Sequence, residues 1–342
     1  MAKEKLFGKT LAELSDITSG VSLPPYAARQ VAGWLYSRGA PEISGMTDLS
    51  LKARRALDES YETGLTPPSS VASSNDGTRK YLFRIDDTRF IETAYIPDRR
   101  RATVCLSVQS GCRMGCRFCM TAQQGFQGNL PSGQILNQFR SIPEHSLLTN
   151  IVYMGMGEPL DNLAEVMKSL EILTSQWGFG WSPSRITVST VGIREKIEDY
   201  LAGTRCHLAI SLHSPFDDER LALMPVQKAN PIKEVIDAVR KYDFGRQRRI
   251  SFEYIVFKGM NDTPGHVREL ARLLNGIRCR INLIRFHSIP GAGYTSPDQP
   301  AMEAFRDSLN AKGITATIRA SRGEDINAAC GLLSTLEQNK SF

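Results

Sequence analysis

Beyond residue 103, short apolar segments alternate with longer amphipathic segments. Short apolar runs are typical of buried strands, and apolar residues three or four positions apart are typical of helices. The predicted strands lie at 103–108, 150–154, 185–189, 206–212, 250–257, 280–286 and 316–319. The predicted helices between them include 162–174, 232–242, 266–274 and 301–312. Because strands alternating with helices form a parallel sheet with helices packed outside it, the pattern predicts an α/β fold, arranged as a full or partial barrel.

The first part of the chain has a different pattern. Ala27, Val31 and Leu35 follow helical spacing after two prolines, and Gly39 marks the predicted end of that helix. A second helix is predicted at 49–61, and a Pro-Pro-Ser-Ser run at 67–70 indicates a linker. Alternating residues on both sides of an Asp-Asp turn predict a hairpin at 80–96. The predicted domains are a helical accessory module (1–75), a hairpin linker (76–102), the barrel (103–300) and a C-terminal segment (301–342).

The composition narrows the class of protein without selecting an activity. Hydrophobic residues make up 41% of the 342 positions and charged residues 23%, which are ordinary values for a soluble globular chain. The charged start lacks an apolar signal segment, and no run of about eighteen apolar residues occurs, so we expect a cytoplasmic protein without a membrane span. The net charge of +6 is compatible with a polyanionic partner but is weak evidence for one. Seven cysteines, an odd number, argue against a disulfide framework and fit a reducing compartment.

Three cysteines follow the first predicted barrel strand with the spacing C-x3-C-x2-C: Cys112, Cys116 and Cys119. Iron–sulfur clusters usually take four cysteine ligands, and the next cysteine downstream is Cys206. The loop would therefore leave one iron of a cubane cluster open to a small ligand. A structural zinc site would need a further Cys or His pair, which is lacking nearby. Three buried thiols are the other alternative, but the arginines and glycine between them do not suit a core.

Polar residues and glycines also follow other predicted strands, at the end where a barrel binds its ligands. Gly157 and Glu158 follow the second strand, where glycine permits close backbone approach and a carboxylate can accept hydrogen bonds from an ammonium group. A tight turn is the simpler explanation of that motif taken alone. Further candidates at strand ends are Ser189, Ser211, Leu212, His213 and His287. A lone histidine, however, is more often structural.

Two more cysteines stand apart from the loop. Within the predicted strand 103–108, Cys105 shares a face with Thr103 and Ser107, which would direct it toward the barrel lumen. Cys330 lies among small residues near the C-terminus and is predicted to be accessible. The alternative for Cys105 is a small buried hydrophobe.

These motifs together resemble a known family. The segments CLSVQSGCRMGCRFCMTAQQGF, MGMGEPLDN, ITVSTVG, LAISLHSP, FEYIVFKGMND and RGEDINAACG are similar to those of bacterial radical S-adenosylmethionine methyltransferases. Members of that family methylate carbon 2 of an adenine in RNA. The resemblance implies a partial (β/α)6 barrel with a small N-terminal helical domain. It implies 23S rRNA and tRNA as partners, the tRNA adenine lying beside the anticodon, and an electron donor such as flavodoxin or ferredoxin.

The resemblance also implies roles for individual residues. Cys112, Cys116 and Cys119 would hold a [4Fe-4S] cluster, and Cys330 would carry the methyl group as S-methylcysteine. Cys105 would be the second catalytic cysteine, and either Cys105 or Glu92 would accept the ring proton. S-adenosylmethionine would be bound by Gly157, Glu158, Ser189, Ser211, Leu212, His213 and His287, the last replacing an asparagine common in the family. The N-terminal module and the arginine run at 99–101 are candidates for gripping RNA, and the segment carrying Cys330 is predicted to be mobile.

Three alternatives stay open at this point. A carbon-8 adenine methyltransferase of the same superfamily would share the cluster and both cysteines, although the TAQQGF run resembles the carbon-2 group more. A radical enzyme acting on a protein or small molecule would share only the cluster. An iron–sulfur protein that binds RNA without catalysis would not cleave S-adenosylmethionine.

Overall fold

The computed structural model describes residues 3–242, 244 and 249–335 of the chain. Its N-terminal part is a helical module, as predicted, and its helices are α1 (Leu11–Gly20), α2 (Ala27–Ala32) and α3 (Leu51–Ser60). A short parallel pair, β1 (Glu4–Lys5) with β2 (Tyr61–Glu62), brings the two ends of the module together. A π-helical turn over Gly33–Arg38 continues α2, and it ends at Gly39 with a left-handed φ of 72°, which confirms the predicted stop.

A ten-stranded sheet forms most of the remaining fold. Its strands are β3 (Ser70–Ser73), β4 (Arg79–Arg84), β5 (Phe90–Asp98), β6 (Arg101–Cys105), β9 (Asn150–Tyr153), β10 (Ile186–Thr190), β11 (His207–Ser211), β12 (Ile250–Val256), β13 (Cys279–Arg285) and β14 (Thr315–Ile318). A separate short pair consists of β7 (Gln109–Ser110) and β8 (Gly128–Asn129). The order across the large sheet is β14-β13-β12-β11-β10-β9-β6-β5-β4-β3.

The strands from β6 through β9 to β14 are parallel, and helices cover their outer face. The helices after the N-terminal module are α4 (Met120–Gln124), α5 (Ser132–Arg140), α6 (Leu163–Thr174), α7 (Arg194–Gly203), α8 (Asp217–Leu223), α9 (Ile232–Arg240), α10 (Pro264–Leu273) and α11 (Gln299–Ala311). Ile210, Phe252 and Ile281 alternate with polar lumen residues and are fully buried in the core. The edge strands β3 and β14 do not pair with each other in the described residues, so the barrel is partial. The predicted α/β fold is confirmed.

Three boundaries differ from the sequence-based expectations. The predicted linker at 67–70 runs into β3, which pairs antiparallel with β4 and so belongs to the sheet. The hairpin is confirmed as β4 and β5, but it extends the barrel sheet through β6 and is not a separate linker. The first barrel strand ends at Cys105 and not at 108. Beyond it, the backbone N–H of Val108 donates to the carbonyl of Met156, in the loop after β9.

The chain after β14 crosses the open side of the barrel. Gly323 donates its backbone N–H to Asp76 (3.0 Å), Asn75 donates to Asp325 (3.2 Å), and Arg322 pairs with Asp98. These contacts join the segment after one edge strand to the hairpin at the other edge. The crossing segment therefore places Cys330 at the mouth of the barrel. None of the helices in the described part of the chain is long and apolar enough to cross a membrane.

Candidate active site

A cavity of about 210 Å³ opens at the C-terminal ends of the parallel strands. Loops after the strands and the crossing C-terminal segment form its wall. The sequence-predicted site residues that line it are Cys105, Cys112, Cys116, Cys119, Gly157, Glu158, Ser189, Ser211, His213, His287 and Cys330. Two predicted residues are not among its lining: the side chain of Leu212 is fully buried in the main hydrophobic core, and Glu92 lies behind the wall.

The short pair β7–β8 fixes the loop that carries the three clustered cysteines. Gly111 has a φ of +69°, and a Cβ there would lie 1.6 Å from the carbonyl oxygen of Gly125, so only glycine permits this chain crossing. Phe118 packs inward against His213, with ring centroids 4.8 Å apart. The loop is therefore held at both ends and packed from within.

The thiols of this loop suit a cluster better than a single ion. Burial raises the pKa of Cys112 to about 12 and also raises the pKa values of Cys116 and Cys119. Metal binding would reverse this, because the ligand is the thiolate. Across the described residues, no three His, Cys, Asp or Glu side chains are grouped as they would be around one metal ion. A [4Fe-4S] cluster is larger than a single ion and takes its thiolates at separate irons.

Glu158 ties the glycine-rich loop after β9 to the end of β10. Its Oε1 accepts hydrogen bonds from the Thr190 hydroxyl (2.6 Å) and the Leu160 N–H (3.0 Å), and its Oε2 accepts one from the Val191 N–H (2.9 Å). Burial raises the pKa of Glu158 to about 7. Three protein donors thus already satisfy much of this carboxylate, and Oε2, with one donor, is the less satisfied of its two oxygens.

His213 has a left-handed backbone with φ of 56° and is buried. Its Nδ1 accepts a hydrogen bond from the Ile255 N–H (2.9 Å), so the neutral ring carries its proton on Nε2. Burial, together with the charge of Arg220, lowers the pKa of His213 to about 3. The side chain is therefore a neutral hydrogen-bond donor at physiological pH.

Arg220 is a functional-site residue that the sequence reasoning missed. It is fully buried, and its guanidinium donates to the carbonyls of Leu212 (3.1 Å), Val191 (2.7 Å) and Ser211 (3.0 Å). It also donates to the side chain of Gln227 and the carbonyl of Asn230. These bonds hold the ends of β10 and β11 together where the site residues begin.

Cys105 and Cys330 line the same cavity. Cys105 ends β6 and is 7% exposed, and Cys330 lies on the crossing segment. Burial raises the pKa of Cys105 to about 12, and the proximity of Cys330 contributes to the shift. Arg319, which the sequence reasoning also missed, lines the cavity beside both thiols, and its positive charge opposes that shift.

Glu92 is buried but faces the crossing segment and not the cavity. Its Oε1 pairs with the Lys80 ammonium at 2.8 Å, and its Oε2 accepts a hydrogen bond from the Ser334 N–H (2.9 Å). It therefore holds the chain four residues beyond Cys330. His287 lines the cavity, with its Nε2 3.2 Å from the Ser321 hydroxyl.

A parallel barrel with a three-cysteine loop at the mouth defines a radical S-adenosylmethionine protein, and comparisons with known proteins agree. The Radical SAM superfamily model matches residues 106–274, and the ribosomal RNA large subunit methyltransferase N-terminal domain model matches residues 5–63. A crystal structure of a radical SAM methyltransferase from Sphaerobacter thermophilus has a TM-score of 0.89 and 39% identity, covering 96% of this chain and 99% of that one.

Curated relatives narrow the assignment. The probable dual-specificity RNA methyltransferase RlmN of Parabacteroides distasonis is 56% identical, over 97% of both chains. The dual-specificity RNA methyltransferase RlmN of Syntrophus aciditrophicus is 44% identical, over 95% of this chain and 94% of that one. The chain belongs to the RlmN family of radical SAM RNA methyltransferases, so the family resemblance found in the sequence is confirmed. Its cofactors are a [4Fe-4S] cluster and S-adenosylmethionine.

Proposed function

We propose that the protein methylates carbon 2 of one adenine in 23S rRNA and of the adenine beside the anticodon in some tRNAs. The observation that carries this proposal is that Cys105 and Cys330 line the same cavity as the three loop cysteines. A radical enzyme that only abstracts hydrogen would need the loop alone. Two extra thiols in the lining of one cavity suit a reaction in which one cysteine carries a group and the other releases it.

The chain's own residues would hold the cofactors as follows. Cys112, Cys116 and Cys119 would ligate the cluster, and the loop at Gly157 and Glu158 would take the methionyl ammonium group. Ser189, Ser211, His213 and His287 would contact the rest of S-adenosylmethionine. When bound, the cluster and S-adenosylmethionine supply the methyl group and the one-electron chemistry that removes a hydrogen atom from it.

The two cysteines would then divide the work. Cys330, as a thiolate, would accept the methyl group at sulfur. Cys105 is held as a neutral thiol by its burial, and after losing its proton it would attack the Cys330 sulfur. The sulfur–sulfur bond would form as the bond between the Cys330 sulfur and the methylene carbon, by then attached to the adenine, breaks. That carbon would keep the bonding electrons and take up a proton to become the methyl group, and reduction of the disulfide by an external thiol would restore both thiols. Of the two candidate proton acceptors, Cys105 lines the cavity and Glu92 does not. Cys105 would serve as that acceptor only in its thiolate form.

The macromolecular partners are part of the same proposal. The target adenine would be unstacked, because its carbon 2 edge is unreachable within a helix. The N-terminal module and the arginines at 99–101, which lie at the turn between β5 and β6, would contact the RNA backbone. A small one-electron donor such as flavodoxin or ferredoxin would reduce the cluster.

The proposal is tested with reconstituted enzyme, S-adenosylmethionine, and fragments of 23S rRNA and tRNA. We expect 5′-deoxyadenosine release and 2-methyladenine in the RNA, identified by mass spectrometry. Cys330→Ala should abolish methylation. Cys279→Ala, a half-buried thiol at the start of β13 outside the cavity lining, is the matched control and should keep it. Sole formation of 8-methyladenine, or continued methylation by the Cys330 variant, would overturn the proposal.

A further inference from the structure

Glu253, in the middle of β12, is a buried acid that the proposed chemistry does not use. It lines the active-site cavity and is 4% exposed. Its Oε1 accepts hydrogen bonds from the Asn282 side-chain amide (2.7 Å) and the Ser251 hydroxyl (3.2 Å). Among the described residues, its Oε2 has no hydrogen-bond partner. A buried acceptor of this kind is costly unless something donates to it.

The neighbouring Arg319 does not supply the hydrogen bond that Oε2 lacks. A nitrogen of Arg319 lies 4.0 Å from Oε2, which is an ion pair but too long for a hydrogen bond. The charge of Arg319 nevertheless favours the ionised carboxylate, against the burial that raises the pKa of Glu253. Oε2 is thus a buried acceptor in the wall of the cavity, with lone pairs that no hydrogen bond among the described residues uses.

The strand register fixes where this acceptor points. Glu253 pairs with Ser211 on β11 and with Asn282 on β13, and paired residues of a parallel ladder present their side chains on the same face. Thr317 on β14 in turn donates to the Asn282 side chain (3.1 Å). Oε1 is held from the β13 side and Oε2 lies toward Arg319, while the register places the carboxylate on the same face as Ser211. The carboxylate is therefore preorganised beside a residue assigned to the cofactor.

The hydrogen-bond donors of S-adenosylmethionine indicate which of its groups contacts the Glu253 carboxylate. S-adenosylmethionine carries three kinds of donor: an ammonium group, two ribose hydroxyls and the adenine amino group. The ammonium group is assigned to the loop after β9, three strands away from β12 in the sheet order. A carboxylate that accepts from vicinal ribose hydroxyls is a recurrent solution in nucleotide sites. We propose that Glu253 is a cofactor-binding residue whose Oε2 accepts a hydrogen bond from the ribose of S-adenosylmethionine, an inference that rests on the proposed function.

The test measures binding and needs no turnover. Equilibrium dialysis under anaerobic conditions would compare S-adenosylmethionine with its 2′-deoxy and 3′-deoxy analogues. A hydrogen bond to a charged group contributes about 1.5–3 kcal/mol, so the reconstituted wild type should bind at least one analogue about ten- to a hundredfold more weakly. Glu253→Gln should weaken the binding of S-adenosylmethionine but bind that analogue almost as well as the wild type does, which reduces the discrimination to a few-fold.

The controls separate the role of Glu253 from general damage. Glu144→Gln removes a buried acid outside the cavity, paired with Arg79 and Tyr81, and should leave the discrimination unchanged. If the glutamine variant does not fold, Glu253→Asp, which keeps the charge one methylene further away, should show intermediate discrimination. Equal affinities of the wild type for all three ligands, or unchanged discrimination in the variants, would overturn this inference. Failure of the wild type to bind S-adenosylmethionine at all would instead overturn the proposed function.

Discussion

Replacing Arg220 with methionine tests whether one buried cation holds the cofactor side of the cavity together. The pairing of β10 with β11 ends at Thr190 and Ile210. The carbonyls of Val191 and Ser211 therefore lie just beyond the last pair, and the same guanidinium nitrogen bridges them at 2.7 and 3.0 Å. The Arg220 side chain thus bridges the two strands beyond the end of their backbone pairing.

The expected loss in the free energy of unfolding follows from these two carbonyl acceptors. Each buried carbonyl left without its donor costs about 1–3 kcal/mol, giving about 2–6 kcal/mol for the pair. Removing a buried charge offsets part of this, so we expect Arg220→Met to lower the free energy of unfolding by about 2–4 kcal/mol. Leu212 O and Gln227 Oε1 add little, because each keeps a second donor, from the backbone N–H groups of Ser214 and Ile232.

The assay is urea unfolding of the apoprotein, followed by both circular dichroism and tryptophan fluorescence so that a second transition would be seen. Binding of S-adenosylmethionine to the reconstituted enzyme should also weaken, since His213 adjoins the clamped carbonyls. Arg306→Met, at a partly exposed arginine paired with Asp307, is the matched control and should leave the unfolding midpoint unchanged. A loss of less than about 1 kcal/mol for Arg220→Met would refute the reasoning, because two orphaned carbonyls should cost more.

Three further predictions concern single groups around the cavity. Gly157→Ala should reduce affinity for S-adenosylmethionine at least about tenfold, because φ is +94° and the new Cβ would lie 2.5 Å from the side chain of Gln109. The control is Gly180→Ala, where φ is +65° and the space around the residue is open. It should cost only about 1–2 kcal/mol of backbone strain and leave the affinity unchanged. Lys80→Met leaves the Glu92 carboxylate without this counter-charge and should destabilise the apoprotein by about 3 kcal/mol in urea unfolding. Burial raises the pKa of Glu158 from its ordinary 4.5 to about 7. Protonation therefore favours the fold: the stabilisation is complete below about pH 4.5 and disappears as the pH rises through 7, a change of about 3 kcal/mol that Glu158→Gln should abolish in pH-dependent unfolding.

The alternation of apolar and amphipathic segments was enough to predict the barrel, because the inner parallel strands β9, β11 and β12 are largely buried and so have an apolar local signature. β3 lacked that signature: it lies at the sheet edge and its residues are largely exposed, so only its pairing with β4 makes it a strand. Helix α5 was missed for the opposite reason. It buries Asn137 and Gln138 together with Phe139, and two polar residues in the core break the periodicity on which prediction depends.

The site was predictable where its chemistry sits at strand ends and not where it depends on distant partners. The loop cysteines and the serines at the ends of β10 and β11 are identified by their position in the chain. Leu212 stays a prediction, although its side chain faces opposite to Ser211 and is buried in the main core. Arg220 and Glu253 carry no such signal. Their burial is compensated by carbonyls and amides from other strands, which the sequence does not bring together.

The segment carrying Cys330 was predicted to be mobile, and its contacts set how rare its opening should be. Met120 donates its N–H to Gly331 O (2.8 Å), and the Thr121 hydroxyl donates to Leu333 O (2.7 Å). Gln124 exchanges two further hydrogen bonds with Thr335. At about 0.5–1.5 kcal/mol each, these four bonds hold the segment closed by about 2–6 kcal/mol.

Because α4 begins directly after Cys119, the same contacts tie the position of Cys330 to the cluster loop. Mobility should therefore take the form of brief openings from a docked state. Hydrogen exchange of the 331–335 peptide should be slower than in an unstructured chain, and Thr121→Val should accelerate it several-fold by removing one bond. Exchange at the unprotected rate in the wild type would show that the segment is open most of the time. In that case Cys330 would have to be brought to the cavity by RNA or cofactor, and not by the fold itself.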